Sequence, residues 1–198
     1  MGNPLFKLSE ITEKAKAVQP DNQDKAELLR VKFLNKHLTK VESLKALAGR
    51  LPGAGEIFFI WTLNSFNAFT FIVYIIKNCG VIDELSISTY SINDRILTAL
   101  MKWYDKGEIK KINISISDSI RHRMPKIYDQ LQSQSAQRNM NVSYSWNHSK
   151  VTAMKSGENY FVVEGSGNFS ENAQFEQYIF MNDKNVYDFR QDCICPSK

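Results

Sequence analysis

The sequence predicts an α/β fold: a largely parallel, mixed sheet flanked by helices, with one extra helix before it. Three observations predict it. Between residues 56 and 146, short apolar or alternating runs trade places with longer segments of helical spacing, strand before helix each time. Strands joined this way take right-handed crossovers and lie parallel, with the helices on the sheet faces. After residue 146 the rhythm changes to hairpin signals. A chain of 198 residues is long enough for one domain with a real core, plus an appendage.

Residues 1–22 read as a loosely ordered arm, and 23–55 as an N-terminal helix and linker. The helix is expected over 21–47, where Leu34, Leu38 and Val41 are spaced for one apolar stripe; Gly49 and the Pro52-Gly53 pair end it. Residues 56–198 form the main domain. Residues 57–61 are an apolar run suited to a buried strand, and 66–76 a helix that Asn78-Cys79-Gly80 closes. This apolar window could span a bilayer by length alone, but Asn64, Ser65 and Asn67 interrupt it, so it reads as strand then helix. The run 85–90 (LSISTY) alternates with period two, Ser91 can cap a helix over 92–104, and 112–117 (INISIS) alternates again. Helix is expected over 120–137, with Pro125 allowed only near its start, and a fourth strand over 142–146. Residues 151–154 and 160–164 form a hairpin around 155–159, 177–181 is one more strand, and 186–191 a short terminal helix.

Composition bounds the function. Lys plus Arg is 25 and Asp plus Glu 21, a net charge of +4 that permits a polyanionic partner but is too small for a histone-like coat. Cys79, Cys193 and Cys195 cannot all pair within one chain, and Cys193-Ile194-Cys195 lacks zinc-ligand spacing. The first twenty residues carry charges and no apolar run, so no signal peptide is expected and a reducing, cytoplasmic setting is.

The chemistry concentrates in 147–181. His148 and Lys150, two apart, share one face of an extended segment. A hairpin later, Gly165-Ser166-Gly167-Asn168 makes a corner where backbone N–H groups and two polar side chains converge, and Glu176 opens the next strand. An imidazole that ionises near neutrality can act as a nucleophile. Lysine and asparagine stabilise charge on phosphate oxygens. A carboxylate behind the histidine fixes its tautomer. The set suits attack on a phosphodiester. Ser166 and Asn168 are also good turn chemistry, and Glu176 can equally be a solvent-facing edge residue.

These residues resemble the signature of the phospholipase D superfamily: H-x-K, an Asp after four residues, then Gly-Ser, a spacer and Asn. His148, Lys150, Gly165, Ser166 and Asn168 match in order, and Phe169-Ser170 is similar to the continuation in the small single-motif bacterial nucleases of that family. Two features depart from the pattern. Lys155 stands at the Asp position, and the interval from Lys150 to Gly165 is about three residues longer, which a longer hairpin tip can absorb. The resemblance implies a phospholipase D-like half-domain over 56–198. Its catalytic residues would be His148, Lys150, Asn168 and Glu176, with Lys150, Ser166 and Asn168 binding phosphate. It implies a covalent phosphohistidine and no metal or other cofactor. The reaction needs two such histidines, and of His37, His122 and His148 only the last has the motif around it. A homodimer with His148 of each copy facing across a twofold axis is therefore implied.

Three functions fit this reading. The first is a metal-independent DNA endonuclease acting as a homodimer. The second is a divergent, non-catalytic domain that binds nucleic acid or scaffolds an assembly. The third is a phospholipid phosphodiesterase or transferase, which the absence of a basic amphipathic helix disfavours. Arg121, His122, Arg123 and Lys126 read as a solvated face, with a phosphate-contacting helix start as the sharper alternative; Lys106, Lys110 and Lys111 read the same way, and His37 as an exposed residue. Thr62, Asn64, Ser65 and Asn67 could line the site at a strand's carboxyl end or cap the following helix, while Phe66, Phe69 and Tyr74 read as core.

Overall fold

The structure, a computed structural model, describes residues 26–32, 35–41, 50–62, 67–170 and 176–195. One nine-stranded mixed sheet runs through it in the order β2-β1-β3-β9-β8-β7-β4-β5-β6. The strands are β1 (Ala26–Lys32), β2 (Asn35–Val41), β3 (Glu56–Thr62), β4 (Glu84–Thr89), β5 (Ile112–Ser117), β6 (Met140–Ser145), β7 (Val151–Ser156), β8 (Asn159–Gly165) and β9 (Glu176–Asn182). The helices are α1 (Phe69–Cys79), α2 (Asp94–Asp105), α3 (Ile120–Arg123), α4 (Pro125–Gln137) and α5 (Lys184–Ile194). Among the described residues no helix is long and apolar enough to cross a membrane.

The expectation of a largely parallel sheet is corrected. Only β4–β5 and β5–β6 pair in parallel; the remaining neighbours are antiparallel. Strands β3 to β6 do all point one way, as crossovers require. The β7–β8–β9 meander, however, inserts between β3 and β4, because β9 takes one edge of β3 and β7 takes one edge of β4. The insertion is pinned at its far end by Asn182, a buried side chain whose amide donates to the Pro52 carbonyl (3.1 Å) and to Asn159 Oδ1 (2.9 Å), while its own Oδ1 accepts from the Tyr160 N–H (2.9 Å).

The long N-terminal helix is also corrected. Residues 26–32 and 35–41 are an antiparallel hairpin whose first strand pairs with β3, from Glu27–Trp61 to Lys32–Glu56. An open edge on β3 offers a row of unpaired N–H and C=O groups, and satisfying them outweighs the weak helical spacing of Leu38 and Val41. The arm, Leu34, Asn64, Ser65 and Phe66 lie outside the described residues.

Smaller differences have local causes. Asn93, not Ser91, caps α2, its Oδ1 accepting from the Ile96 N–H at 2.8 Å. The helix expected over 120–137 breaks in two because Pro125 pushes Met124 out of helical geometry (φ −141°, ψ 60°) and restarts the helix at its first position. The long Lys150–Gly165 interval lies in the strands rather than in a long tip. β7 and β8 pair as far as Ser156–Asn159, around a two-residue turn in which Gly157 takes φ +55°.

The core fills one face of the sheet. Leu85, Ile87, Ile112, Ile114 and Ile116 pack there with Phe71, Ile72 and Ile75 of α1 and Ile96, Leu97 and Leu100 of α2. Phe69 stacks on Trp103 and Tyr74 is buried, as core residues should be. On the other face, α5 seats Tyr187 and Ile194 against Val151, Ala153 and Val162. Ser86, Ser88, Asn113 and Ser115, the polar partners in the alternating strands, lie buried on that second face. Asn113 there donates to Glu84 and Ser86, both at 2.9 Å.

Candidate active site

The carboxyl ends of β4, β5, β6 and β8 and the amino ends of β7 and β9 meet at one edge, the usual place for ligands in open α/β sheets. His148 and Lys150 lie in the short connection between β6 and β7. Asn147 locks that connection. Its amide donates to Ser88 Oγ (2.8 Å) and to the Ser115 carbonyl (3.1 Å), and its Oδ1 accepts from the backbone N–H (2.9 Å) and hydroxyl (2.7 Å) of Ser149. Ser88 and Ser149 close the ring at 2.5 Å. His148 is thus held between two residues fixed to the ends of β4 and β5.

The His148 ring is exposed, packs against Tyr90 (centroids 4.9 Å apart) and meets the Lys150 ammonium, whose Nζ lies 3.2 Å from Nδ1 and 2.7 Å from the His148 carbonyl. Arg123 of α3 lies over the Tyr90 ring at 4.2 Å and donates to its hydroxyl at 2.8 Å. The basic run at α3 is therefore more than a solvated face: Arg123 buttresses the ring that buttresses His148. His122 is exposed beside it.

The register brings the second half of the motif alongside. Val151 pairs with Glu164, and the Gly165 N–H donates to the Lys150 carbonyl at 3.2 Å. Ser166 follows; its hydroxyl donates to the Glu176 carboxylate and accepts from the Gln177 N–H at 3.1 Å. Two glycines are required here by close approach. A Cβ at Gly165 would lie 2.4 Å from the Gln177 carbonyl, and one at Gly167 would lie 2.1 Å from the Tyr178 hydroxyl. Phe169 anchors the loop: its ring is buried, and its carbonyl accepts from the Asn93 N–H (3.0 Å) at the start of α2. Asn168 is half-buried, and its Oδ1 is buried with no hydrogen-bond partner.

Charge is concentrated at the same place. Glu176 is buried at 6% exposure. Burial pushes the Lys150 ammonium below the ordinary lysine value, and the Glu176 carboxylate opposes that shift. Burial pushes the Tyr178 phenol up, and Glu176 adds to it. Lys155, the residue at the signature Asp position, stands five residues along β7, about 16 Å from the site, paired with Tyr160 and Glu84 at the opposite end of the sheet. Lys155 therefore lies away from the His148–Lys150 end.

The sequence reading therefore named His148, Lys150, Ser166, Asn168 and Glu176, and the fold gathers them at one edge. Asn147 and Tyr90 carry no assigned role in the sequence, and Arg123 stands there only within a basic run whose sharper alternative is a phosphate-contacting helix start; the structure instead sets Arg123 against Tyr90 and ties Asn147 to Ser88 and Ser115.

No protein-family model and no curated protein matches the chain. Among solved structures, it is similar to polyphosphate kinase from Porphyromonas gingivalis, with a TM-score of 0.53 and 14% identity over 72% of this chain and 26% of that one. A looser likeness joins it to phosphatidylserine synthase from Haemophilus influenzae Rd KW20, with a TM-score of 0.47 and 11% identity over 69% of this chain and 36% of that one. At these identities the first likeness is one of fold, and this chain spans about a quarter of that protein's length.

Proposed function

We propose that this chain is a metal-independent phosphodiesterase of the phospholipase D type, a DNA endonuclease that works as a homodimer. The observation that carries the reading is the meeting of His148 and Lys150 (3.2 Å) beside the Ser166–Asn168 loop at the ligand-binding edge of the sheet. The motif order and the fold shared with a phosphate-handling enzyme support it. The missing signature Asp does not oppose it, since its position is remote from the site.

An ammonium has no lone pair, so Lys150 donates to Nδ1 and the neutral ring then carries its proton on Nε2. A phosphodiester's non-bridging oxygens are stronger, charged acceptors for Lys150. Once Lys150 turns to them, the proton can sit on Nδ1 and the Nε2 lone pair is free. Nε2 then attacks phosphorus, the bond from phosphorus to the leaving oxygen breaks, and the partner's His148, which enters the step as the imidazolium, gives that oxygen a proton and is left neutral. Water, losing a proton to the partner's His148, next attacks phosphorus; the P–N bond breaks and both rings return to their starting state. Lys150 and the Asn168 amide stabilise the added negative charge. Ser166 assists at the phosphate, and the buried Glu176 carboxylate, which accepts from the Ser166 hydroxyl, is assigned the role of orienting His148 and favours the charged form of Lys150.

The test is cleavage of plasmid and single-stranded DNA in EDTA at low salt, by wild type and by His148→Ala. Cutting by wild type alone supports the reading. Cutting by both assigns the activity elsewhere, and cutting by neither refutes the nuclease. A gel shift on the same samples then addresses the second reading, a silent nucleic-acid-binding domain. Sedimentation of the wild type tests the dimer.

A further inference from the structure

Aromatic rings flank the phosphate site on both sides. α5 packs on β8, β7, β4 and β5, and on β3 the outward residues Phe59 (39% exposed) and Trp61 (47%) remain open, while their alternates Phe58 and Ile60 are buried in the core. Those two rings form the floor of a groove of about 650 Å³ that runs to Lys150 and Gly165. Successive outward positions on a strand lie about 6.8 Å apart, so the floor offers two stacking faces in a row. On the far side of His148, Trp146 is 93% exposed at the end of β6 and shares a second concavity with Tyr90 and His148.

We infer that these aromatics are base-stacking subsites for a single-stranded nucleic acid laid across the His148–Lys150 edge. The phosphodiester would sit at His148, with bases on Trp61 and Phe59 to one side and on Trp146 to the other. The inference rests on the phosphodiesterase reading and adds the form of the substrate. Base stacking on exposed aromatics tolerates any sequence, and a cation at the phosphate completes the pattern of single-strand binders. The groove wall speaks against an acyl chain. Arg190 and Glu164 form a two-bond ion pair there (2.5 and 2.8 Å), and Gln177 adds an amide; an apolar chain laid over them would strip water from a charged pair without replacing it.

The experiment uses the full chain in a His148→Ala background, so that binding is read without turnover. Anisotropy of a labelled ten-nucleotide oligo(dT) is compared with that of an abasic oligonucleotide of equal length, at fixed low salt. Trp61→Ala and Trp146→Ala should each weaken oligo(dT) binding about tenfold while changing abasic binding less than twofold, and Trp61→Phe should restore most of the loss. Equal losses on both probes, or no loss on oligo(dT), would overturn the inference. So would a loss accompanied by a shift from dimer to monomer in sedimentation, which would make this face a contact between copies. Binding of duplex but not of oligo(dT) by the His148→Ala parent overturns it as well. The underlying reading fails separately, if wild type does not hydrolyse bis(p-nitrophenyl) phosphate in EDTA.

Discussion

Replacing Gly167 by alanine should damage fold and site together. The new Cβ would lie 2.1 Å from Tyr178 Oη, 3.1 Å from its Cζ and 3.4 Å from Glu176 Cδ, where ordinary contacts begin at 3.4 Å. Tyr178 has nowhere to go: it is 2% exposed, and its ring packs edge-on against Phe71 at 5.2 Å. The loop must therefore move, carrying Ser166 and Asn168 with it. Overpacking of this kind costs about 1–3 kcal/mol. For a chain of this size that lowers the melting temperature by roughly 2–12 °C, and displacement of the phosphate-binding groups should cost turnover a further factor of about 100. Tyr178→Phe removes the atom that the Cβ meets first, so the double variant should be about 1–2 kcal/mol more stable than the two single changes sum to. Thermal and urea unfolding of the four proteins reads this coupling. A Gly167→Ala variant melting within about 1 °C of wild type, or strict additivity, refutes the reasoning.

Further outcomes follow from the same geometry. Because the Glu176 carboxylate raises the Lys150 value against the pull of burial, Glu176→Gln should move the alkaline limb of the activity profile to lower pH; an unmoved limb would separate Glu176 from Lys150. Arg123→Ala should lower turnover about tenfold with little change in melting temperature, since it loosens the Tyr90 face against which His148 packs. The Lys110 ammonium, bonded at 2.7 Å, and the Gly157 N–H hold the Asp83 carboxyl below its ordinary value. Asp83 therefore adds stability above its unfolded value near 4, lost as pH falls through its lower folded value. Lys110→Gln should narrow the stability gap between neutral and acid urea titrations, and an unchanged gap would refute the assignment. Arg190→Ala, which leaves Glu164 without its two-bond partner, should cost about 1 kcal/mol in urea unfolding.

How much was legible depends on how local the determining force is. Period two wrote β4 and β5 into the sequence, because a pleated strand sends alternate residues to opposite faces, here an apolar core face and a buried polar one. Strand order was not written there. Nothing in residues 57–61 states that their neighbour is β9, and the edge that recruits β1 exists only once β3 is in place. The site divides the same way. His148, Lys150, Ser166 and Asn168 stand in a compact motif, whereas their supports come from remote strand ends. Asn147 reaches Ser88 across 59 residues and Ser115 across 32, and Arg123 reaches Tyr90 across 33. Each of those supports is an unremarkable polar residue until the fold closes.

The inserted meander has a consequence for the order in which the chain can be finished. The bond from Asn182 to the Pro52 carbonyl spans 130 residues, and Asn182 pairs in register with Glu56 at the start of β3. At ribosomal speeds of 5–20 residues per second, β3 emerges roughly 6 to 24 s before β9. Throughout that interval a strand reading EIFFIWT shows an open flank to the cell. Shortening the chain before Glu176 would make that interval permanent, so nascent chains stalled there should collect on holdase chaperones, while those carrying β9 should escape them.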